Sequence, residues 1–64
     1  MKYTIKTNER KRTATIRVYE GGELIAKYRT LPFSKEDFKT VSLWWESDIK
    51  NFLRFESESY YLVK

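Results

Sequence analysis

Four cations recur at strand spacing in the first half of the chain: Lys6, Arg17, Lys27 and Arg29. Apolar residues such as Ile5, Ile16, Val18, Ala26 and Tyr28 occupy neighbouring positions of the opposite parity. Side chains along a strand point to opposite faces in turn, so the cations share one face and the apolar groups the other. Arg offers forked donors to phosphate, Lys a point charge, and the intervening threonines short hydroxyl donors. Tyr19 adds an aromatic ring to the same face, and Arg10, Lys11 and Arg12 extend the basic cluster into a loop. The chemistry this suggests is capture of a nucleic acid backbone. A solvated face of an antiparallel sheet would show the same alternation.

Covalent and acid–base chemistry has little to work with. The chain contains neither His nor Cys, the commonest general base and a common nucleophile. Glu46 and Asp48 stand two apart on a predicted helix and do not face each other. Glu56 and Glu58 read as loop carboxylates. The only glycines, Gly21 and Gly22, close a hairpin and do not form a phosphate loop. No zinc set and no calcium-loop spacing is present. The expectation is a non-enzymatic binding protein with no metal and no cofactor.

The 64 residues predict one domain spanning 1–64. Two Trp, five Tyr and four Phe supply the apolar area that so small a core needs. The net charge is +4, and it is unevenly placed. Residues 1–30 carry Lys2, Lys6, Arg10, Lys11, Arg12, Arg17, Lys27 and Arg29 against Glu9, Glu20 and Glu23, while the remainder is slightly acidic. This asymmetry suits a polyanion or an acidic protein surface. No stretch approaches the roughly 20 apolar residues of a membrane span. The absence of Cys and of a leader-like apolar run predicts a cytoplasmic setting.

The elements that position the cations read as β-β-β-α-β, an α+β class. A three-stranded antiparallel meander is expected, with one long helix on one sheet face and a short fourth strand. Strand one runs from about Tyr3 to Thr7, strand two from Arg12 to Glu20, and strand three from Glu23 to Thr30. A two-residue Gly21-Gly22 turn would set Ile16 against Lys27 and bring lysine to the apolar face. A three-residue turn, Glu20-Gly21-Gly22, keeps both faces consistent, pairing Val18 with Leu24 and Ile16 with Ala26. On that register Arg17 lies beside Ile25, and Thr15 beside Lys27. Pro32 ends the third strand, and Ser34 with Asp37 resembles a capping box. From Lys35 to about Phe55 the residues Phe38, Val41, Trp45, Ile49 and Phe52 form one helical stripe, with a break near Ser42 or Ser47 as the alternative. A fourth strand is expected from Ser59 to Val63; the intervening helix suggests a right-handed crossover parallel to strand one or strand three, but the sequence decides neither partner nor direction. In element order, Arg10 to about Val41 resembles the three-stranded-sheet-plus-helix DNA-binding domains at the N-termini of tyrosine integrases. That resemblance implies a sheet face set against DNA. No signature residues are shared, and the fourth strand is an addition.

A second candidate site lies off the helical stripe. Leu43 falls almost opposite Trp45, and Trp44 sits at the stripe's boundary. An exposed apolar pair of this kind can anchor a protein partner or a homodimer. Packing of Trp44 over the sheet edge would account for it equally. The first expectation is therefore a nucleic-acid-binding module acting through Lys6, Arg10, Lys11, Arg12, Arg17, Tyr19, Lys27 and Arg29. The alternative is a protein-binding regulator or inhibitor of the phage or mobile-element accessory type, acting through Leu43 and Trp44.

Overall fold

β-Branched and aromatic residues crowd the first half of the chain, and in the computed structural model, which describes residues 1–63, three strands form there. They are β1 (Lys2–Asn8), β2 (Thr13–Glu20) and β3 (Glu23–Thr30). Two short helices follow, α1 (Lys35–Val41) and α2 (Glu46–Phe55), then a 3₁₀ turn (Ser57–Ser59) and β4 (Tyr60–Leu62). The strands form one antiparallel sheet in the order β1-β2-β3-β4. The class is α+β, as the alternation predicts. The last strand, whose partner and direction the sequence leaves open, pairs antiparallel with β3 and not by the crossover that a helix between two strands suggests.

The β2–β3 hairpin closes through Gly21 and Gly22 alone, with Glu20 opposite Glu23. Both glycines have positive φ, 58° and 83°, as the tight primed hairpin turn requires. The three-residue turn is thus overturned. The objection to a two-residue turn is met by a bulge. Tyr19 pairs with Leu24 and Val18 with Ala26, which leaves Ile25 as the extra residue on β3. Beyond the bulge Ile16 meets Tyr28 and Arg17 meets Lys27. The true register differs from the expected one by two residues, so every side chain beyond the bulge keeps its expected face. At the far end Thr30 is buried and its Oγ1 accepts from the Ala14 backbone N–H at 2.9 Å.

The expected long helix is broken at Ser42–Trp45. The Ser42 hydroxyl donates to the Lys39 carbonyl at 2.8 Å, and the Leu43 and Trp44 N–H groups bond three residues back, to Thr40 and Val41. Such tightening ends a helix. Trp45 is then extended (φ −87°, ψ 171°), and the Asp48 carboxylate accepts from its N–H at 2.9 Å as α2 begins. α1 begins as predicted, with Ser34 Oγ accepting from the Asp37 N–H. The break lets the chain return on itself. The Leu31 N–H donates to the Ser59 carbonyl at 2.9 Å, so the whole helical segment starts and finishes at one point. One straight helix over these residues would end about 30 Å away.

The break also re-phases the stripe. Val41, Ile49 and Phe52 are buried with Ala14, Ile16 and Val18, but Trp45 is 79% exposed. Its neighbour Trp44 takes the core position, with its ring centroid 5.0 Å from Phe52 and 6.3 Å from Phe33. Phe52 also meets Tyr60 at 5.6 Å, and Tyr60 meets Tyr28 edge-on at 5.2 Å. The Tyr60 hydroxyl donates to the Leu53 carbonyl, which ties β4 to α2. The two tryptophans therefore make opposite forecasts. Trp44→Ala should destabilise by about 2–3 kcal/mol, at or just below the range for truncating a fully buried aromatic because Trp44 is half-buried. Trp45→Ala should stay within about 0.5 kcal/mol of the parent. Urea denaturation of the two variants checks this, and a larger loss for Trp45→Ala would contradict the helix break.

Candidate nucleic-acid interface

The helices lie on the face formed by Ile16, Val18 and their neighbours, which leaves the other sheet face to solvent. The register sets that outer face out in rows. Thr4, Arg17 and Lys27 form one row across β1, β2 and β3. Lys6, Thr15, Arg29 and Tyr61 form the next, across all four strands. Lys2 and Tyr19 lie side by side on β1 and β2 at the hairpin end, and Asn8 with Thr13 at the other. Not one carboxylate falls in these rows.

Arg17 and Lys27 are directly opposed, with backbones about 5 Å apart by antiparallel geometry. Opposed like charges oppose strand pairing. Both side chains are half-buried, so their stems lie along the sheet. Lys6 and Arg29 flank them and are exposed. Because of the bulge, Arg17 meets Lys27 in place of the expected Ile25, and Thr15 meets Arg29 in place of the expected Lys27. The correction concentrates the positive charge.

The basic loop divides. The Lys11 N–H is held by the Asn8 side chain at 3.2 Å, and Lys11 borders a depression on the outer face with Thr13, Thr15, Arg29 and Tyr61. Arg12 turns away. Its φ is 54°, in the left-handed region, and its carbonyl accepts from the Phe33 N–H at 2.8 Å. It borders the α1 side with Lys35, Phe38 and Lys39, so it does not join the outer face. Arg10 is exposed at the loop tip. Tyr19 is half-buried on the outer face beside Lys2.

One contributor, Tyr61, escapes the sequence reading. Lys2 and Thr4 share the face of Lys6 by the parity of β1 alone. Tyr61 needs the β3–β4 register, which the sequence leaves open. In the second candidate site Leu43 is 77% exposed, as expected, but Trp44 is engaged by Phe33 and Phe52. The exposed apolar pair at the helix break is Leu43 with Trp45. Among the described residues no group of three acidic side chains converges as a metal site would require. No helix among them is long and apolar enough to cross a membrane.

The opposed cations have a measurable consequence. Lys27→Thr should raise stability by about 0.2–0.5 kcal/mol by removing the like-charge pair. The gain should shrink as added salt screens the surface. Denaturation midpoints of parent and variant at low and high ionic strength test this. A destabilised variant at low salt would show that Lys27 holds the sheet together.

No protein-family model, curated protein or solved structure matches the chain. The resemblance to integrase domains therefore rests on element order alone, and β4 is an addition to that order.

Proposed function

We propose that this chain is a non-enzymatic nucleic-acid-binding module that grips phosphates through the outer face of its sheet. The observation that carries this is the Arg17–Lys27 opposition within carboxylate-free rows. Strand pairing gains nothing from two opposed cations, whereas a bound polyanion satisfies both at once. Lys6 and Arg29 continue the contact along the next row, and Lys2 and Lys11 mark its two ends.

Binding should show the salt dependence of counterion release. Neutralising four phosphates gives a slope of about −3 to −4 in log affinity against log salt. Fluorescence anisotropy with labelled DNA and RNA oligomers measures it. The Arg17→Thr, Lys27→Thr double variant should bind more weakly and lower the slope by about two. A Lys35→Thr, Lys39→Thr variant loses equal charge from the helix side and should bind almost as the parent does. Equal losses in both double variants would mean that overall charge, and not this face, attracts the polyanion. No binding at low salt to any oligomer would overturn the reading.

One observation favours a second reading, docking of a protein. Leu43 and Trp45 are 77% and 79% exposed at the helix break, where neither serves the core. Paired substitution of both by Lys, with a partner-binding assay, separates this reading from the first.

A further inference from the structure

Two depressions indent the outer sheet face, one at each end. The first, of about 350 Å³, is bordered by Asn8, Lys11, Thr13, Thr15, Arg29 and Tyr61. The second, of about 580 Å³, is bordered by Lys2, Thr4, Tyr19 and the Gly21-Gly22 turn. Each combines one tyrosine, at least one cation and at least one threonine hydroxyl. The Arg17–Lys27 pair lies between them. We infer that the face takes a single-stranded nucleic acid, stacking one base on Tyr61 and another on Tyr19 while Arg17 and Lys27 hold the intervening phosphates. This rests on the nucleic-acid reading above and names the form of the partner.

The chemistry of the aromatic rings decides between strand forms. Both tyrosines belong to the solvent face, and Tyr61 is 48% exposed. A duplex hides the faces of its bases and offers these rings nothing to stack on. A single strand presents a free π-face at every nucleotide, and aromatic rings on a basic sheet are the means by which such strands are held. Size agrees. Two strand spacings across and about four residues along put Tyr19 and Tyr61 about 16 Å apart. That is about five nucleotides at the stacked rise of 3.4 Å. Width agrees as well. Four strands span about 14 Å between the outer strand axes, wider than the roughly 12 Å major groove that admits a two-stranded ribbon.

The test compares three probes of one length: an eight-nucleotide single strand, its duplex, and an abasic strand with the same phosphates. Each is used as DNA, and the single strand also as RNA. The single strand should bind most tightly, and removal of the bases should weaken binding at least fivefold. Tyr61→Ala and Tyr19→Ala should each cost about 5- to 150-fold on the single strand, the range for loss of one stacked base, and nothing on the abasic strand. Phe at either position should restore most of the affinity. The abasic probe needs no substitution, so it is decisive even if a variant misfolds. Equal affinity for the abasic and normal strands would overturn base stacking while leaving the phosphate reading intact. Preference for the duplex would overturn it too. Absence of binding to all probes at low salt would remove both the inference and the reading beneath it.

Discussion

A sheet that buries one face permits a strand to slide only in steps of two, because any odd slip turns its apolar side to water. In the β2–β3 hairpin this parity constraint meets a turn that violates it. Gly21 and Gly22 both hold positive φ and close the hairpin in two residues, which by itself would bring Lys27 against Ile16 on the buried side. The bulge at Ile25 restores parity one step beyond the turn. The buried column Ala14, Ile16 and Val18 follows from that correction, and so does the outer opposition of Arg17 and Lys27. Core and candidate site are two faces of one register.

The helical layer answers a second constraint, the need to return to the end of β3. β4 pairs antiparallel with β3 and begins opposite Thr30, so the connection must finish where it started. The break at Ser42–Trp45 allows this by dividing the helical segment between α1 and α2. It leaves Trp44 in the aromatic cluster around Phe52 and Trp45 in solvent. The Glu46 carboxylate, at the start of α2, accepts from the Tyr3 N–H at 3.0 Å and so satisfies part of the free edge of β1. Such capping blunts an otherwise open strand edge.

These two constraints explain what the sequence disclosed and what it withheld. Face assignment was legible in β1, in β2 and in β3 from Ala26 onward, because alternation there has a period of two and survives the shift in register; on the turn side of the bulge it failed, since Leu24, expected beside Val18 on the apolar face, sits opposite Tyr19 on the outer one. The identity of cross-strand neighbours was not legible, because a bulge leaves no mark in composition when its residue is an ordinary Ile. The start of α1 was legible in Ser34 and Asp37. The break was open only as an alternative near Ser42 or Ser47, and its effect on phase was not legible. Spacing arguments carry helical phase only while the helix continues. Trp44 and Trp45 exchanged roles for that reason. Tyr61 joined the outer face through the β3–β4 register, which sets it opposite Arg29 and is fixed by the connection and not by the strand itself.

The functional account thus depends on charge that the register concentrates and that the fold does not use. Aromatic rings at both ends of the same face extend it from phosphate capture to base stacking. The measurement that reaches this claim most directly is a backbone amide NMR titration with an eight-nucleotide single strand. Shifts should concentrate on Thr4, Lys6, Thr15, Arg17, Tyr19, Lys27, Arg29 and Tyr61, with α1 and α2 largely unmoved. Shifts centred on Leu43, Trp45 or the helices, with the outer rows silent, would contradict the account.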